Sequence, residues 1–171
     1  MGHGLVRIVF ELDSSAWHGN KTERLWCETV GEGRFRLRNS PFFAFGISNE
    51  DIVFGEDRKG KLCFAGVSIR GGHSTYRLKL AVHDRETPAF QKYWEPIERL
   101  GCSYEEGTVL SVDVPAAANI YDVYGLLEAG ETGGVWDFEE GHCGHRLREA
   151  GRAIEDSTQG SAHRALPPPR V

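Results

Sequence analysis

Hydrophobic and polar positions alternate over short distances in the first seventy residues. "LVRIVFEL" (5–12), "RLWCETV" (24–30), "RFRL" (34–37), "DIVFGED" (51–57) and "KLCFAGVSI" (61–69) are rich in β-branched and aromatic residues and read as strands. "GEG" and "RKG" separate neighbouring runs and read as hairpin turns, while the proline and glycine of "NSPFFAFGIS" (39–48) make that stretch a loop or bent strand. Consecutive short strands with no helical segment between them predict a small barrel-like lobe over residues 4–72.

After Gly71 and Gly72 the pattern changes. Tyr76, Leu78, Leu80 and Val82 alternate with Thr75, Arg77, Lys79 and Ala81, which predicts a strand buried on one face. "TPAFQKYWEPIERLG" (87–101) predicts a helix with Thr87 as N-cap and Pro88 in the first turn; Pro96 is expected to kink or divide it. "CSYEEG" and "TVLSVDVP" form the next hairpin. "NIYDVYGLLEAG" (119–130) is a second helix capped by Asn119, and "VWDFEE" (135–140) is a last strand. This order, strand-helix-strand-strand-helix-strand, predicts a ferredoxin-like split-βαβ lobe over residues 73–145. The fold class is therefore α+β. Residues 146–171 are expected to give a short helix to about Ile154 and then a disordered, proline-ending tail.

Six motifs, "LWCE", "GEGRFRLRNSPFFAFGIS", "GGHSTYR", "LGCSYE", "VDVP" and "WDFEEGHCGH", occur in this order between residues 5 and 145. Together they resemble a family of bacterial proteins known only as a domain of unknown function. The resemblance implies a bacterial, cytoplasmic protein and brings no activity with it.

Composition narrows the function classes. The formal net charge of −5 argues against nonspecific nucleic-acid binding, which needs a basic face. No apolar run is long enough for a membrane span. Cys27, Cys63, Cys102 and Cys143 lack paired spacing, so free thiols in the cytoplasm are expected.

Candidate chemistry follows from the predicted strand order, 4-1-3-2. The first strand starts, and the fourth ends, at one edge of the sheet. That edge gathers "GGHS", "GCS", "VDVP" and "EEGHC", next to the junction with the N-terminal lobe. His73 and His142 are the candidate general bases, Cys143 (or Cys102) the nucleophile, and Glu140 or Glu139 the group that orients an imidazole. Ser74, Cys102, Ser103 and Glu139 are candidate ligand-binding residues, with Cys102 about 10 to 15 Å across the sheet from the fourth strand. Plainer readings stand beside these: His73 as a strand cap, the cysteines as small core residues, and Gly71, Gly72, Gly141 and Gly144 as positive-φ turn residues. Zinc on His142, Cys143 and His145 is disfavoured because neighbouring strand residues point to opposite faces. No cofactor is expected. The helix-free face, with Thr75, Arg77, Lys79, Ser111, Asp113, Asp137 and Glu139, has no aromatic platform for RNA.

Two functions fit. One is a binding protein that holds a small molecule, a peptide or a protein at the lobe junction, in an accessory, regulatory or immunity-type role. The other is a small enzyme using His/Cys/Glu chemistry at the same place.

Overall fold

The computed structural model describes residues 4–82 and 85–148. Strands β1 (Leu5–Glu11), β2 (Thr22–Gly31), β3 (Arg34–Leu37), β4 (Ile52–Arg58) and β5 (Lys61–Ile69) form a closed barrel. Neighbours run antiparallel except at closure, where β1 meets β5 in parallel through Val9 and Cys63. The alternating pattern places Ile8, Phe10, Leu25, Cys27, Phe35, Leu37 and Val53 inside.

The rest of the described chain is a second unit of sheet and helices. Its elements are β6 (Ser74–Leu80), α1 (Pro88–Glu98), β7 (Ser103–Glu106), β8 (Leu110–Val114), α2 (Ile120–Thr132) and β9 (Trp136–His142). The sheet order is β7-β8-β6-β9, and every neighbouring pair is antiparallel. Thr87 and Asn119 cap the two helices by accepting from Phe90 N and Tyr121 N. Both helices pack on one face, over Tyr76, Leu78, Val112, Val114, Trp136 and Phe138. α1 is not divided at Pro96, which lies in its last turn with only Ile97 and Glu98 after it in the helix. Residues 146–148 are irregular rather than helical; the remainder of the expected helix and tail lies outside the described residues.

The helix-free face of the sheet is covered over Thr75, Arg77, Ser111 and Glu139, which are buried. Residues 38–51, which include "NSPFFAFGIS", form an irregular strap between β3 and β4. Leu37 N donates to Asp51 O at 2.9 Å and Glu50 N to Leu37 O at 3.1 Å, so the two ends of the strap are pinned together. Ala44 and Ile47 turn into the barrel core. The polar side of the strap lies on the sheet. Ser48 Oγ meets Thr75 Oγ1 at 2.7 Å, the Ser111 hydroxyl donates to Pro41 O at 2.6 Å, and Gly46 N donates to Gly141 O at 3.0 Å.

A buried segment without helix or sheet must satisfy its backbone groups in another way. Carboxylates do this here. Glu23 on β2 accepts from Phe42 N, Phe43 N and Ala44 N at 2.6, 2.9 and 2.8 Å. Glu105 accepts from Ser40 N at 2.9 Å, and Asp51 accepts from Ser48 N and Gly71 N at 3.0 and 2.7 Å. From the sheet, Arg77 donates to Glu139 at 3.0 Å and to the Ala44 carbonyl, with its guanidinium 4.5 Å from the centre of the Phe45 ring. Both members of the Arg77–Glu139 pair are buried.

Removing one member of a buried pair strands the other charge, at a cost of about 3–5 kcal/mol, whereas replacing both with apolar groups is often close to neutral. Urea unfolding should therefore rank wild type above the double variant Arg77→Met/Glu139→Leu, and the double variant above Arg77→Met. A single Arg77→Met variant within about 1 kcal/mol of wild type would contradict this role.

Candidate functional site

The predicted edge exists, but the sheet divides its residues. Thr75 pairs with His142, so the "GGHS" and "EEGHC" segments do meet. A bulge follows, with Tyr76 opposite Glu140 and Gly141 left over. The extra residue changes the alternation. Glu140 and Cys143 therefore lie on the helix side, where they line a cavity of about 210 Å³ with Tyr76, Ile120, Tyr124 and Leu147. His142 lies on the strap side, its Nε2 3.4 Å from Arg70 Nη1.

On the helix side, Ser74 is fully buried. Its Oγ accepts from Gly144 N at 2.9 Å and lies 2.6 Å from His145 Nδ1. His145 Nε2 is 3.0 Å from Pro115 O, a group that only accepts, so the neutral ring carries its proton on Nε2 and Ser74 donates to Nδ1. Both ring nitrogens are thus occupied, and the hydroxyl is shut off from solvent. The pair fastens the end of β9 to the end of β8. Gly144 permits this closeness, because a Cβ there would collide with the His73 carbonyl. Of the four glycines expected to supply positive φ, only Gly72 does so.

Burial holds back Cys27, Cys102 and Cys143 as nucleophiles. Burial pushes Cys27 up to about 12, and burial followed by the nearby Asp113 does the same for Cys102. Cys102 sits in the helix-packed core. The Cys143 thiol is also raised, first by burial, although Ser74 opposes the shift; Glu140 adds to it. Ser103 is exposed at the start of β7, opposite Asp113. Glu139 is taken up by Arg77. His142, Cys143 and His145 turn to Arg70, the His145 carbonyl and Ser74 respectively, so they share no common centre.

His73 keeps the most usable geometry. Its Nδ1 lies 2.9 Å from Asp113 Oδ1; a carboxylate only accepts, so Nδ1 donates, and in the neutral ring Nε2 holds the lone pair. Asn49 Nδ2 donates to the other Asp113 oxygen at 3.2 Å. His73 lines an open groove of about 410 Å³ with Arg36, Glu50, Ile52, Ile69 and Arg70. Arg70 is itself tied to Asp51 at 3.0 Å. Burial, then Arg70, lowers His142, while Asp51 opposes them, so the His142 ring is neutral near pH 7.

A second concavity between barrel and sheet went unnoticed in the sequence. Trp17, His18 and Asn20 from the β1–β2 loop, Phe43 from the strap, Lys79 from β6, and Thr108 and Val109 from the β7–β8 turn line about 410 Å³. The rings of His18 and Phe43 are 4.6 Å apart, and Trp17 meets Phe43 edge-on at 6.0 Å. His18 Nδ1 accepts from Asn20 N at 2.9 Å, which leaves Nε2 as the protonated nitrogen of the neutral ring. Burial and then Arg77 lower His18, against Glu139, Glu23 and Asp13. The only local signal was "AWHGN", an aromatic pair in a turn far in sequence from the other wall residues.

A family model described as "Domain of unknown function (DUF4265)" matches residues 23–138. No curated protein matches the chain. Among solved structures, a hypothetical protein from Neisseria gonorrhoeae is similar, with 20% sequence identity and a TM-score of 0.66 over 81% of this chain and 96% of that one. At this identity the likeness is one of fold.

In the native protein at about pH 8, Cys27 and Cys102 should resist iodoacetamide, because few of their thiols are ionised and both are buried. Denaturant should release both. Mass-spectrometric mapping that shows either one modified as fast as in urea would contradict the burial described here.

Proposed function

Because the chain belongs to that family of unknown function, no activity comes with it, and we propose from geometry that it is a two-lobed binding protein whose small-molecule site is the aromatic cleft between barrel and sheet. One observation supports this most. The cleft is built from three separate parts of the chain and has the size and the mixture of rings with a few polar groups typical of ligand sites. The candidate catalytic groups, by contrast, are divided by the sheet or occupied by internal bonds. The second lobe is read as ferredoxin-like on its element order and its strand order. A cytoplasmic location is supported by four cysteines that stand as free thiols.

A second reading has its own support. The His73–Asp113 pair in the Arg36–Arg70 groove has the arrangement of a general base with its orienting carboxylate. Among the described residues that line this groove none carries a thiol or hydroxyl, so the chemistry that fits there is proton transfer without a covalent step.

A fragment screen followed by backbone amide NMR separates the two readings. Binding predicts that the hits perturb Trp17, His18, Phe43, Lys79, Thr108 and Val109. Hits confined to Arg36, Ile52, Arg70 and His73 would reject the aromatic cleft and favour the acid–base groove.

A further inference from the structure

The net charge of −5 averages over two unlike units. Over residues 4–72 Lys and Arg slightly outnumber Asp and Glu, and residues 73–148 hold the excess of acids. On the barrel the basic side chains gather on one outer face. Alternation turns Leu25, Cys27, Phe35 and Leu37 inward. Arg24, Trp26 and Glu28 of β2 therefore face outward, as do Arg34 and Arg36 of β3 and Arg38 just after it. Trp26 stands opposite Arg7 of β1, and its carbonyl accepts from Arg38 N at 2.9 Å. The indole thus has an arginine on each neighbouring strand and Arg24 two residues along its own.

Trp26 differs from the other tryptophans. It is 41% exposed, whereas Trp94 and Trp136 are buried and Trp17 is half-buried. Its backbone N also donates to Asn39 Oδ1 at 2.8 Å, so the residue is fixed from both sides. Arg7 lies over the ring, 4.2 Å from its centre. Arg7 and Arg24 reach no carboxylate among the described residues, while Arg36 and Arg38 share Glu50, at 3.8 and 2.5 Å. The half-buried Glu28 is the acid set among them. Positive charge is therefore in surplus around an exposed ring held on a rigid strand.

A chain in which phosphates alternate with flat bases complements this face. Arginine binds phosphate through charge-assisted hydrogen bonds, and a base of any kind can stack on an indole. A protein partner would need a centre poor in charge with charges at the rim, and here the arginines stand beside the ring at the centre. We propose that the outer face of β1–β3 binds single-stranded nucleic acid, with one base on the face of Trp26 away from Arg7 and the phosphates on Arg7, Arg24 and Arg38. This surface shares no lining residue with the aromatic cleft, so the two sites are tested separately.

Labelled single strands of about eight nucleotides, uridylate and thymidylate, are titrated with the full chain and followed by anisotropy. The indole N–H of Trp26, identified with Trp26→Phe, is followed by NMR. At least one of the two should bind and move that signal with the amides of Arg7, Arg24 and Arg38; their ratio reports the preferred sugar. The slope of log K against log salt should be about −2, from three phosphate contacts at about 0.7 each, and the variant Arg7→Gln/Arg24→Gln should bring it to about −0.7. An abasic strand of the same length should bind about tenfold more weakly, and Trp26→Ala should lower affinity for the parent strand by a similar factor. If either variant loses the parent's amide spectrum, the abasic comparison on wild type decides. Equal affinity for abasic and parent strands would overturn the nucleic-acid class. Shifts that map outside β1–β3, or no binding of either strand up to about 1 mM at about 50 mM salt, would overturn the site itself.

Discussion

The structure depends on making an irregular strap compatible with burial. Residues 38–51 run between the barrel and the sheet without a strand or helix to satisfy their backbone. Each buried N–H left without a partner would cost about 1–3 kcal/mol, so a handful of them would remove much of the stability of a domain. Glu23, Glu105 and Asp51 accept from these amides, and Arg77 donates to the Ala44 carbonyl. Ala44 and Ile47 enter the barrel core from the same segment. The strap therefore belongs to both units, and that dual membership determines where the clefts at their junction open.

Much of the fold is legible in the sequence for ordinary reasons. Period-two alternation marks the barrel strands and β6, and Thr87 and Asn119 mark the helix starts. The four-strand edge also follows, since Thr75 does lie opposite His142. The strap was harder. A Pro- and Gly-containing stretch reads as a loop, and loops are expected on the surface. Its burial depends on Glu23, Arg77 and Glu105, which are distant in sequence and individually look like solvated charges. On the helix-free face, Thr75, Arg77, Ser111 and Glu139 are buried beneath the strap, while Asp137 stays exposed.

The candidate site shows a similar limit. Strand order brought His73 near residues 140–143, but one bulge at Gly141 decided which side chains share a face. A single extra residue reverses orientation, and no spacing rule in "EEGHCGH" announces it. Ser74 and His145 lie at a distance that resembles a reactive pair, yet the Pro115 carbonyl and full burial give them a fastening role. The aromatic cleft needs three segments to converge, so Trp17 and His18 carry little meaning until Phe43 and Lys79 stand beside them.

Native-state hydrogen exchange tests the role of the strap most directly. If the strap is a shared core element, the amides of Phe42, Phe43, Ala44 and Ser48 should exchange only through global unfolding. Their opening free energies should then equal those of the slowest barrel and sheet amides. Exchange of these four amides by local opening, with free energies well below the global value while β2 and β6 stay protected, would contradict it.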